Sequence, residues 1–206
     1  MRLLLATRNA HKVREIQAAL AGSDLSVVGL DDLPGLPDEL PETGETFEDN
    51  ALQKARFVFD ATGEATLADD SGIEVRALGQ APGVHSKRWS PEGTDEANNA
   101  LLLASLAGET DRRARYRCAL AFVLPQPGGA DEISGVATGT CNGRIGFEPR
   151  GSGGFGYDPY FWPDEAPGRA MAELTLAEKN AISHRGRALV ALRRRFEALG
   201  LIPPSL

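Results

Sequence analysis

The 206-residue sequence predicts an α/β fold built on a mixed β-sheet. Short apolar runs at residues 3–6 and 65–68 are typical of buried strands, and each adjoins a stretch with helical periodicity. A later pair of runs, residues 116–124 and 133–141, flanks a Pro- and Gly-rich segment and predicts an antiparallel hairpin. Because helices and strands alternate early and a hairpin follows late, we expect helices flanking a mixed sheet within a single domain, residues 1–206.

The first half of the chain contains two amphipathic patterns. After the first strand, a helix that ends near Gly22 is predicted from the spacing of Val13, Ile16 and Leu20. The next stretch is rich in Pro, Gly and acidic residues and is interpreted as a loop. Thr46 and Asp49 then fit a capping box. They open a second helix whose apolar face consists of Phe47, Ala51, Ala55 and Val58.

The alternation continues in the second half. We expect the strand at residues 65–68 to end abruptly at the polar segment 69–72, with a further strand at residues 73–78. A helix is predicted over residues 94–107, because Gly108 is typical of a helix end. Near the C-terminus a short helix from about Thr175 precedes a longer one. The inward residues of the longer helix are predicted to be Leu189, Leu192, Phe196 and Leu199.

Composition disfavours several classes of protein. No stretch approaches the ~18 apolar residues that a membrane span requires. The formal net charge of −7 disfavours a nucleic-acid partner, since proteins that bind nucleic acid usually carry a basic face. Cys118 and Cys141 form neither a disulfide framework nor a metal-ligand spacing and are interpreted as buried or inert thiols. We therefore expect a cytoplasmic protein with no membrane and no nucleic-acid partner.

The negative charge is concentrated in residues 31–49, which contain no Lys or Arg. The acidic residues there are Asp31, Asp32, Asp38, Glu39, Glu42, Glu45, Glu48 and Asp49. A run of this kind is usually a solvated face, which is our interpretation for most of its members. One or two of these carboxylates can hold a metal ion that a phosphate substrate requires.

The first candidate for chemistry is residues 7–12, between a predicted strand and a predicted helix. A helix N-terminus after a strand presents backbone N–H groups and a positive dipole end, which suit a phosphate. Lys12 adds a charge, and Thr7 and Asn9 can donate hydrogen bonds. The segment matches neither a P-loop nor a dinucleotide fingerprint, so an ordinary polar turn is the alternative.

The second candidate is the pair Asp69 and Asp70. Two adjacent carboxylates at the end of a strand are costly to bury without a cation or strong hydrogen bonds. Ligands of open α/β sheets lie at strand ends. One carboxylate can bind Mg²⁺ and one can orient or deprotonate a water molecule. An Asp-Ser-Gly turn is the alternative.

The third candidate is the glycine-rich segment 151–159. Its glycines permit close approach of the backbone to a flat ligand, and Phe155 or Tyr157 can stack on a base. A flexible turn is the alternative.

The fourth candidate is residues 183–186, which follow Lys179 and lie near a predicted helix boundary. A Ser-His-Asp hydrolase that uses Ser71 and His184 is disfavoured, because the chain lacks the G-x-S-x-G elbow. The three histidines are dispersed and form no zinc site. Together the four segments are typical of a phosphate site, a metal site and a base pocket.

Taken in order, six segments resemble the inosine triphosphate pyrophosphatase family, which hydrolyses non-standard purine nucleoside triphosphates. They are Leu5-Ala-Thr-Arg-Asn9, Glu42-Thr-Gly-x-Thr-Phe-x-x-Asn-Ala51 with Lys54, Ala68-Asp-Asp-Ser-Gly72, Ala81-Pro-Gly83, Gly153-Gly-Phe-Gly-Tyr-Asp-Pro159 and Glu178-Lys-x-Ala-Ile-Ser-His-Arg-Gly186. The segments span nearly the whole chain in the family's order, so the combination is highly specific.

The resemblance implies an elongated mixed sheet with two lobes and a nucleotide cleft between them, a homodimer, and dependence on Mg²⁺. It implies hydrolysis of ITP, dITP and XTP to the monophosphate and pyrophosphate. By matching position, Asp70 is the catalytic carboxylate and a metal ligand, and Glu42 is a further metal ligand. The implied substrate-binding residues are Thr7, Arg8, Asn9, Ala10, His11, Lys12, Lys54, Ser71, Phe155, Gly156, Tyr157, Asp158, Lys179, His184 and Arg185.

Arg8 departs from the family pattern, which usually has Gly at this position. Its side chain either narrows the approach of a phosphate to the backbone or supplies a new charge. Activity is nevertheless expected to be retained.

Three other functions remain as alternatives. One is a related pyrophosphatase for modified pyrimidine or methylated nucleotides, whose motifs differ from those at residues 153–159 and 183–186. Another is a nucleotide sensor without catalysis, which the retained carboxylates disfavour. The third is a nucleic-acid-binding module, suggested by residues 193–195 and by Arg112, Arg113, Arg115 and Arg117. We interpret these arginines as solvated or partner-facing.

Overall fold

One six-stranded sheet organises the fold. The computed structural model describes residues 1–30, 35–37, 39–126 and 132–204. The strands are β1 (Arg2–Leu5), β2 (Ser26–Gly29), β3 (Thr66–Val75), β4 (Arg113–Pro125), β5 (Glu132–Ile145) and β6 (Phe161–Pro163), in the order β2-β1-β3-β4-β5-β6. β1 pairs in parallel with β2 and β3, whereas β3 to β6 pair antiparallel with one another. The predicted mixed sheet and late hairpin are confirmed.

Helices flank this sheet. They are α1 (Ala10–Ala19), α2 (Phe47–Thr62), α3 (Asp95–Ser105), α4 (Leu176–Ile182) and α5 (His184–Ala198). The start of α2 is as predicted, because Thr46 Oγ1 accepts a hydrogen bond from the Asp49 N–H at 3.1 Å. The predicted apolar face of this helix is fully inside the protein. Within the described ranges, no helix combines the length and the apolar character that crossing a bilayer requires.

Two apolar clusters pack on opposite faces of the sheet. One cluster joins α1 and α5 to side chains such as Leu67 and Leu120, and the other joins α2 to side chains such as Ala68 and Ala121. A third cluster gathers α3, β6 and the outer ends of β4 and β5. Because side chains alternate along a strand, consecutive residues of β3 act on different sides of the sheet.

Strand β3 corrects the prediction of a break at residues 69–72. It runs without interruption, with Asp69 opposite Leu120 and Asp70 opposite Ala119 on β4. A strand tolerates two adjacent carboxylates here because each meets a cation on its own face of the sheet. The two carboxylates therefore lie in the middle of a strand and not at its end.

Other differences are smaller. Strands β2 and β6 are additions to the predicted elements, and β2 lies in the stretch interpreted as a loop; four and three residues are too few for a periodic signal. Leu199 was predicted to point inward but is 47% exposed, because α5 ends one residue earlier. Arg112 is buried and donates to the carbonyl groups of Ile145 and Gly146, so the prediction of a solvated arginine is wrong there.

Some predictions lie outside the described residues. They concern the connection of the hairpin at residues 127–131 and the acidic residues Asp31, Asp32 and Asp38. Cys118 and Cys141 are free and buried, as predicted.

Candidate active site

A cavity of about 640 Å³ opens beside the turn between β1 and α1. Its charged lining residues are Arg8, Lys12, Glu39, Glu42, Lys54, Lys87 and Arg88. Five of these seven side chains are cationic, although the whole chain carries a net charge of −7. The cavity is therefore an electropositive site on an acidic protein and suits an anionic ligand.

The β1–α1 turn lies at one edge of this cavity. Asn9 is the N-cap of α1, and its Oδ1 accepts hydrogen bonds from the backbone N–H groups of His11 and Lys12 at 3.0 and 3.2 Å. Two of the N–H groups that we expected to be open to a phosphate are thus already capped. The positive end of the helix dipole and the side chains of Thr7 and Lys12 remain available to an anion.

Arg8 reaches across to the neighbouring loop. Its guanidinium donates to the carbonyl groups of Leu30 and Leu36 at 3.3 and 3.0 Å. These contacts join Leu30 and Leu36 to the turn, and Arg8 still lines the cavity.

Lys54 of α2 joins the two predicted metal ligands. Its Nζ lies 2.7 Å from Glu42 Oε1 and 2.8 Å from Asp70 Oδ1, and it also donates to the Asp69 carbonyl at 2.9 Å. The second oxygen of Glu42 accepts from Arg88 at 2.8 Å. The second oxygen of Asp70 is buried and has no hydrogen-bond partner among the described residues. Asp70 therefore presents one free acceptor next to the cations of the cavity.

The two carboxyl groups differ in their acidity. Burial raises the pKa of Asp70 above its ordinary value, although the charges of Lys54 and Lys12 oppose the shift. Burial also acts to raise the pKa of Glu42, but the charge of Lys54 and the hydrogen bonds from Lys54 and Arg88 outweigh it and lower that pKa to about 2. Asp70 is thus the stronger base of the two and the better proton acceptor.

Asp69 points to the other face of the sheet, and both of its oxygens are occupied. Oδ1 pairs with Lys12 and accepts from Ser71 Oγ at 2.9 Å. Oδ2 accepts from Arg185 Nε at 2.9 Å and lies 3.2 Å from Cys118 Sγ. Burial acts to raise the pKa of Asp69, but Arg185 and Lys12 hold it well below its ordinary value. Asp69 therefore stays ionised, and both of its oxygens are used in contacts within the protein.

The corner between α4 and α5 brings Lys179 and Arg185 together. Ser183 is the N-cap of α5, and its Oγ accepts from the Gly186 N–H at 3.1 Å. A Cβ on Gly186 would collide with the Asn180 carbonyl, so only glycine allows the two helices to approach this closely. The Ser-His-Arg-Gly pattern is thus explained by the geometry of the corner.

Glu15 of α1 connects these two cations. Its carboxylate accepts from Lys179 Nζ at 2.6 Å and pairs with Arg185 on its other oxygen. Lys179 also donates to Asp158 Oδ2 at 2.6 Å. Every side chain in this network is at least nine-tenths buried, so the ion pairs are little screened by water.

The network supports the glycine-rich segment. Asp158 Oδ2 accepts from the Phe155 N–H at 2.9 Å and shapes a turn that places the Phe155 ring below Lys179, whose Nζ lies 5.0 Å from the ring centroid. His11 stacks on the same ring with centroids 5.2 Å apart. Tyr157 is buried and donates to the Ser86 carbonyl at 2.8 Å, so its ring is not free to stack on a ligand.

His184 is buried and stacks on Tyr116, with ring centroids 4.6 Å apart. Burial and the charge of Arg185 hold the pKa of His184 well below its ordinary value of 6.5. The unfolded chain therefore gains a proton below pH 6.5 that the folded chain does not, and stability falls as the pH is lowered through this range.

We predict that His184→Phe, which keeps the stacking and cannot titrate, removes this part of the pH dependence. Urea unfolding at pH 7.5, 6.5 and 5.5 measures it. Between pH 6.5 and 5.5, the wild type is expected to lose about 1 kcal/mol of unfolding free energy more than the variant, and the slope approaches about 1.4 kcal/mol per pH unit at lower pH. Parallel pH profiles for the two proteins would contradict the assignment.

The structure brings the predicted residues together in two groups. Glu42, Lys54 and Asp70 lie with the β1–α1 turn, whereas Ser71, Phe155, Lys179 and Arg185 lie with Asp69 and Glu15. Glu15, Lys87, Arg88 and Cys118 were not predicted from the sequence. Glu15 was detectable, because it lies three residues after Lys12 on the predicted helix and therefore on the same face; Arg88 and Cys118 show nothing in the sequence that points to their partners.

A cationic cavity with a free buried carboxylate oxygen, at the junction of a parallel and an antiparallel part of one sheet, defines an α/β protein that binds a phosphorylated ligand. Sequence comparison identifies the family. The profile of the Ham1 family matches residues 3–195, and the chain belongs to this family.

Relatives match nearly the full length. The dITP/XTP pyrophosphatase of Mycolicibacterium paratuberculosis is 51% identical over 201 residues, and that of Symbiobacterium thermophilum is 52% identical over 200 residues. In both cases 96% of each chain is covered.

Solved structures agree with the fold. The Ham1 protein of Staphylococcus aureus superposes with a TM-score of 0.82 at 35% identity, covering 96% of this chain and 99% of that one. The nucleoside-triphosphatase or dITP/XTP pyrophosphatase of Mycobacterium abscessus superposes with a TM-score of 0.71 at 48% identity, covering 93% and 98%.

Proposed function

We propose that this chain hydrolyses non-standard purine nucleoside triphosphates, namely ITP, dITP and XTP, to the nucleoside monophosphate and pyrophosphate. Membership of the Ham1 family and full-length similarity to dITP/XTP pyrophosphatases support a hydrolase that removes such nucleotides from the pool. The observation that carries the proposal is the unpartnered oxygen of Asp70, whose other oxygen is bound to Lys54, one of five cationic side chains that line the cavity.

The carboxylates fit a divalent metal, for which we propose Mg²⁺. Lys54 holds Glu42 and Asp70 together, and Asp70 Oδ2 has no protein partner among the described residues. The structure shows no cage of three or more His, Cys, Asp or Glu within its described ranges. Mg²⁺ needs no such cage, because one or two carboxylates, substrate phosphates and water complete its shell. A bound ion would neutralise phosphate charge and acidify a water molecule.

The residues of the chain supply the remaining steps. Asp70 is also assigned as the acceptor of the proton from the water that attacks the α-phosphorus, because one oxygen of its carboxylate has no protein partner among the described residues. Lys12, Lys54 and the N-terminus of α1 stabilise the negative charge that develops on the leaving pyrophosphate. No covalent intermediate is needed, because water is the nucleophile.

Selectivity for the base is assigned to the glycine-rich segment. The sequence suggested that Arg185 or nearby backbone N–H groups donate to the 6-carbonyl of hypoxanthine or xanthine. Arg185 is 1% exposed, and its donors already serve Asp69, Glu15 and Ser71. We therefore assign the donors to backbone N–H groups of this segment other than those of Phe155, Gly156 and Asp158, which are already paired, and Arg185 and Lys179 hold the segment in place. A mismatched amino group of adenine would leave such a donor unpaired and reduce the rate by ~10²-fold or more.

The resemblance further implies a homodimer in the cytoplasm, which we include in the proposal. Sedimentation of the purified protein at micromolar concentration tests the assembly and is expected to give twice the mass of one chain.

Pyrophosphate release from ITP, XTP, ATP, GTP and dUTP tests the proposed reaction, with Mg²⁺ and with EDTA. We expect fast release from ITP and XTP, with release from ATP slower by ~10²-fold or more. EDTA should abolish release from all substrates, because the charge of the phosphates is then not neutralised. Binding of ITP without release would identify a nucleotide sensor, and preference for dUTP would identify a pyrimidine enzyme.

A further inference from the structure

Helix α3 holds one residue of the glycine-rich segment by both of its backbone polar groups. The Gly156 N–H donates to Asp95 Oδ2 at 2.6 Å. The Gly156 carbonyl accepts from Asn99 Nδ2 at 2.9 Å. Asp95 and Asn99 are four residues apart and share one face of the helix, so they act as a two-point clamp on a single residue.

The clamp is not explained by the stability of α3 alone. Asn99 is 8% exposed, and its Oδ1 is buried with no hydrogen-bond partner within the described part of the chain. An unpaired buried oxygen opposes folding. The Asn99 amide nitrogen binds the segment beside Phe155, although the oxygen of the same side chain has no partner. This arrangement points to a role of Asn99 in placing that segment.

The same helix also holds a segment that lines the cavity. Asn98 Oδ1 accepts from the Ser90 N–H at 2.7 Å, and its Nδ2 donates to the Lys87 carbonyl at 3.0 Å. These two backbone groups flank Arg88, whose guanidinium binds Glu42 at 2.8 Å. Neighbouring residues of α3 thus hold two parts of the chain. One is residues 155–158, here called the base segment, and the other is the backbone next to Arg88, which binds Glu42.

We infer that Asp95 and Asn99 are positioning residues for base recognition, and that α3 sets the distance between the base segment and the cationic cavity. The inference rests on the proposed function, since it assigns the purine to residues 155–158. Neither side chain needs to touch the substrate. Their effect passes through Gly156, whose φ of 61° is a left-handed conformation that the two hydrogen bonds keep in place.

The test compares Asp95→Ala with Glu96→Ala. Both variants remove one acidic residue from the first turn of α3, but Glu96 is exposed and makes no hydrogen bond or ion pair to residues 155–158. We expect Asp95→Ala to raise the KM for ITP by about 10-fold, the value of one hydrogen bond to a charged group, with kcat within about 2-fold of the wild type. Glu96→Ala should match the wild type in both constants.

Inorganic tripolyphosphate separates positioning from general damage, because it has no base. As a competitive inhibitor of ITP hydrolysis it should keep its inhibition constant in Asp95→Ala and in Asn99→Leu. The double variant should raise the KM by less than the product of the single effects, since both side chains act on Gly156.

Two results would overturn the inference. One is equal behaviour of Asp95→Ala and Glu96→Ala, and the other is a loss of tripolyphosphate affinity as large as the rise in KM. Should Asn99→Leu fail to fold, Asp95→Ala decides alone, because Asp95 is exposed. A wild-type protein that releases pyrophosphate from none of the triphosphates contradicts the proposed function instead, and this result is obtained before any variant is compared.

Discussion

Replacing Asp70 with asparagine is expected to lower kcat for ITP by about 10²–10⁴-fold, because the amide keeps the shape of the side chain but cannot accept a proton. The fold should survive the change. Burial raises the pKa of Asp70, which means that the folded protein disfavours the charged form. Steady-state kinetics and urea unfolding of the same preparation therefore give opposite results: activity is lost, whereas the free energy of unfolding stays at or above that of the wild type.

Asp60→Asn is the matched control. Asp60 is an exposed residue of α2 that does not line the cavity described above. Its replacement by asparagine removes the same charge as Asp70→Asn. It should leave kcat unchanged. If Asp70→Asn retained a kcat within about 3-fold of the wild type with the fold intact, the role of Asp70 as proton acceptor would be wrong.

Replacing Arg185 with methionine is expected to lower the free energy of unfolding by about 3–5 kcal/mol. Methionine fills most of the volume, but Glu15 and Asp69 then lose a buried cationic partner while both stay inside the protein. The cost arises because each buried carboxylate keeps only one of its two cationic partners, Lys179 for Glu15 and Lys12 for Asp69, and not from a cavity. Urea denaturation at pH 7 measures the change.

A control and a rescue sharpen this prediction. Arg194→Met alters an exposed arginine of the same helix and should change the free energy of unfolding by less than about 0.5 kcal/mol. Adding Glu15→Gln and Asp69→Asn to Arg185→Met removes the two carboxylate charges that lost this partner and should restore part of the loss, since Lys179 and Lys12 lose a partner in turn. A loss below about 1 kcal/mol for Arg185→Met would show that water or Lys179 compensates the carboxylates.

The elements predicted well from the sequence are those with strong local signals. The capping residue Thr46 and the four-residue apolar face of α2 identify that helix without any tertiary information. The strand at residues 66–75 was misread because Asp-Asp-Ser-Gly is also typical of a turn. Tertiary contacts keep this strand extended, because Lys12 and Lys54, from helices on opposite faces of the sheet, pair with Asp69 and Asp70.

The site shows the same division between local and distant causes. Segments that carry their own chemistry, such as residues 7–12 and 183–186, could be recognised from residue types and order. The partners of Asp69 could not be, since Arg185 lies 116 positions away and Cys118 lies 49 positions away. No local sequence pattern predicts that both oxygens of Asp69 have partners, whereas one oxygen of Asp70 has none among the described residues.

The alternation of Asp69 and Asp70 across β3 also governs how this enzyme can be re-engineered. The ion pairs of Asp69 are with side chains of α1 and α5, on one face of the sheet. The ion pair of Asp70 is with a side chain of α2, on the other face. Under the proposed assignment of the base to residues 155–158, a library that varies the α5 side searches for acceptance of other nucleobases while the residues around Asp70 stay unchanged. Lys12 is the residue to hold constant in such a library, because it pairs with Asp69 and also lines the cavity.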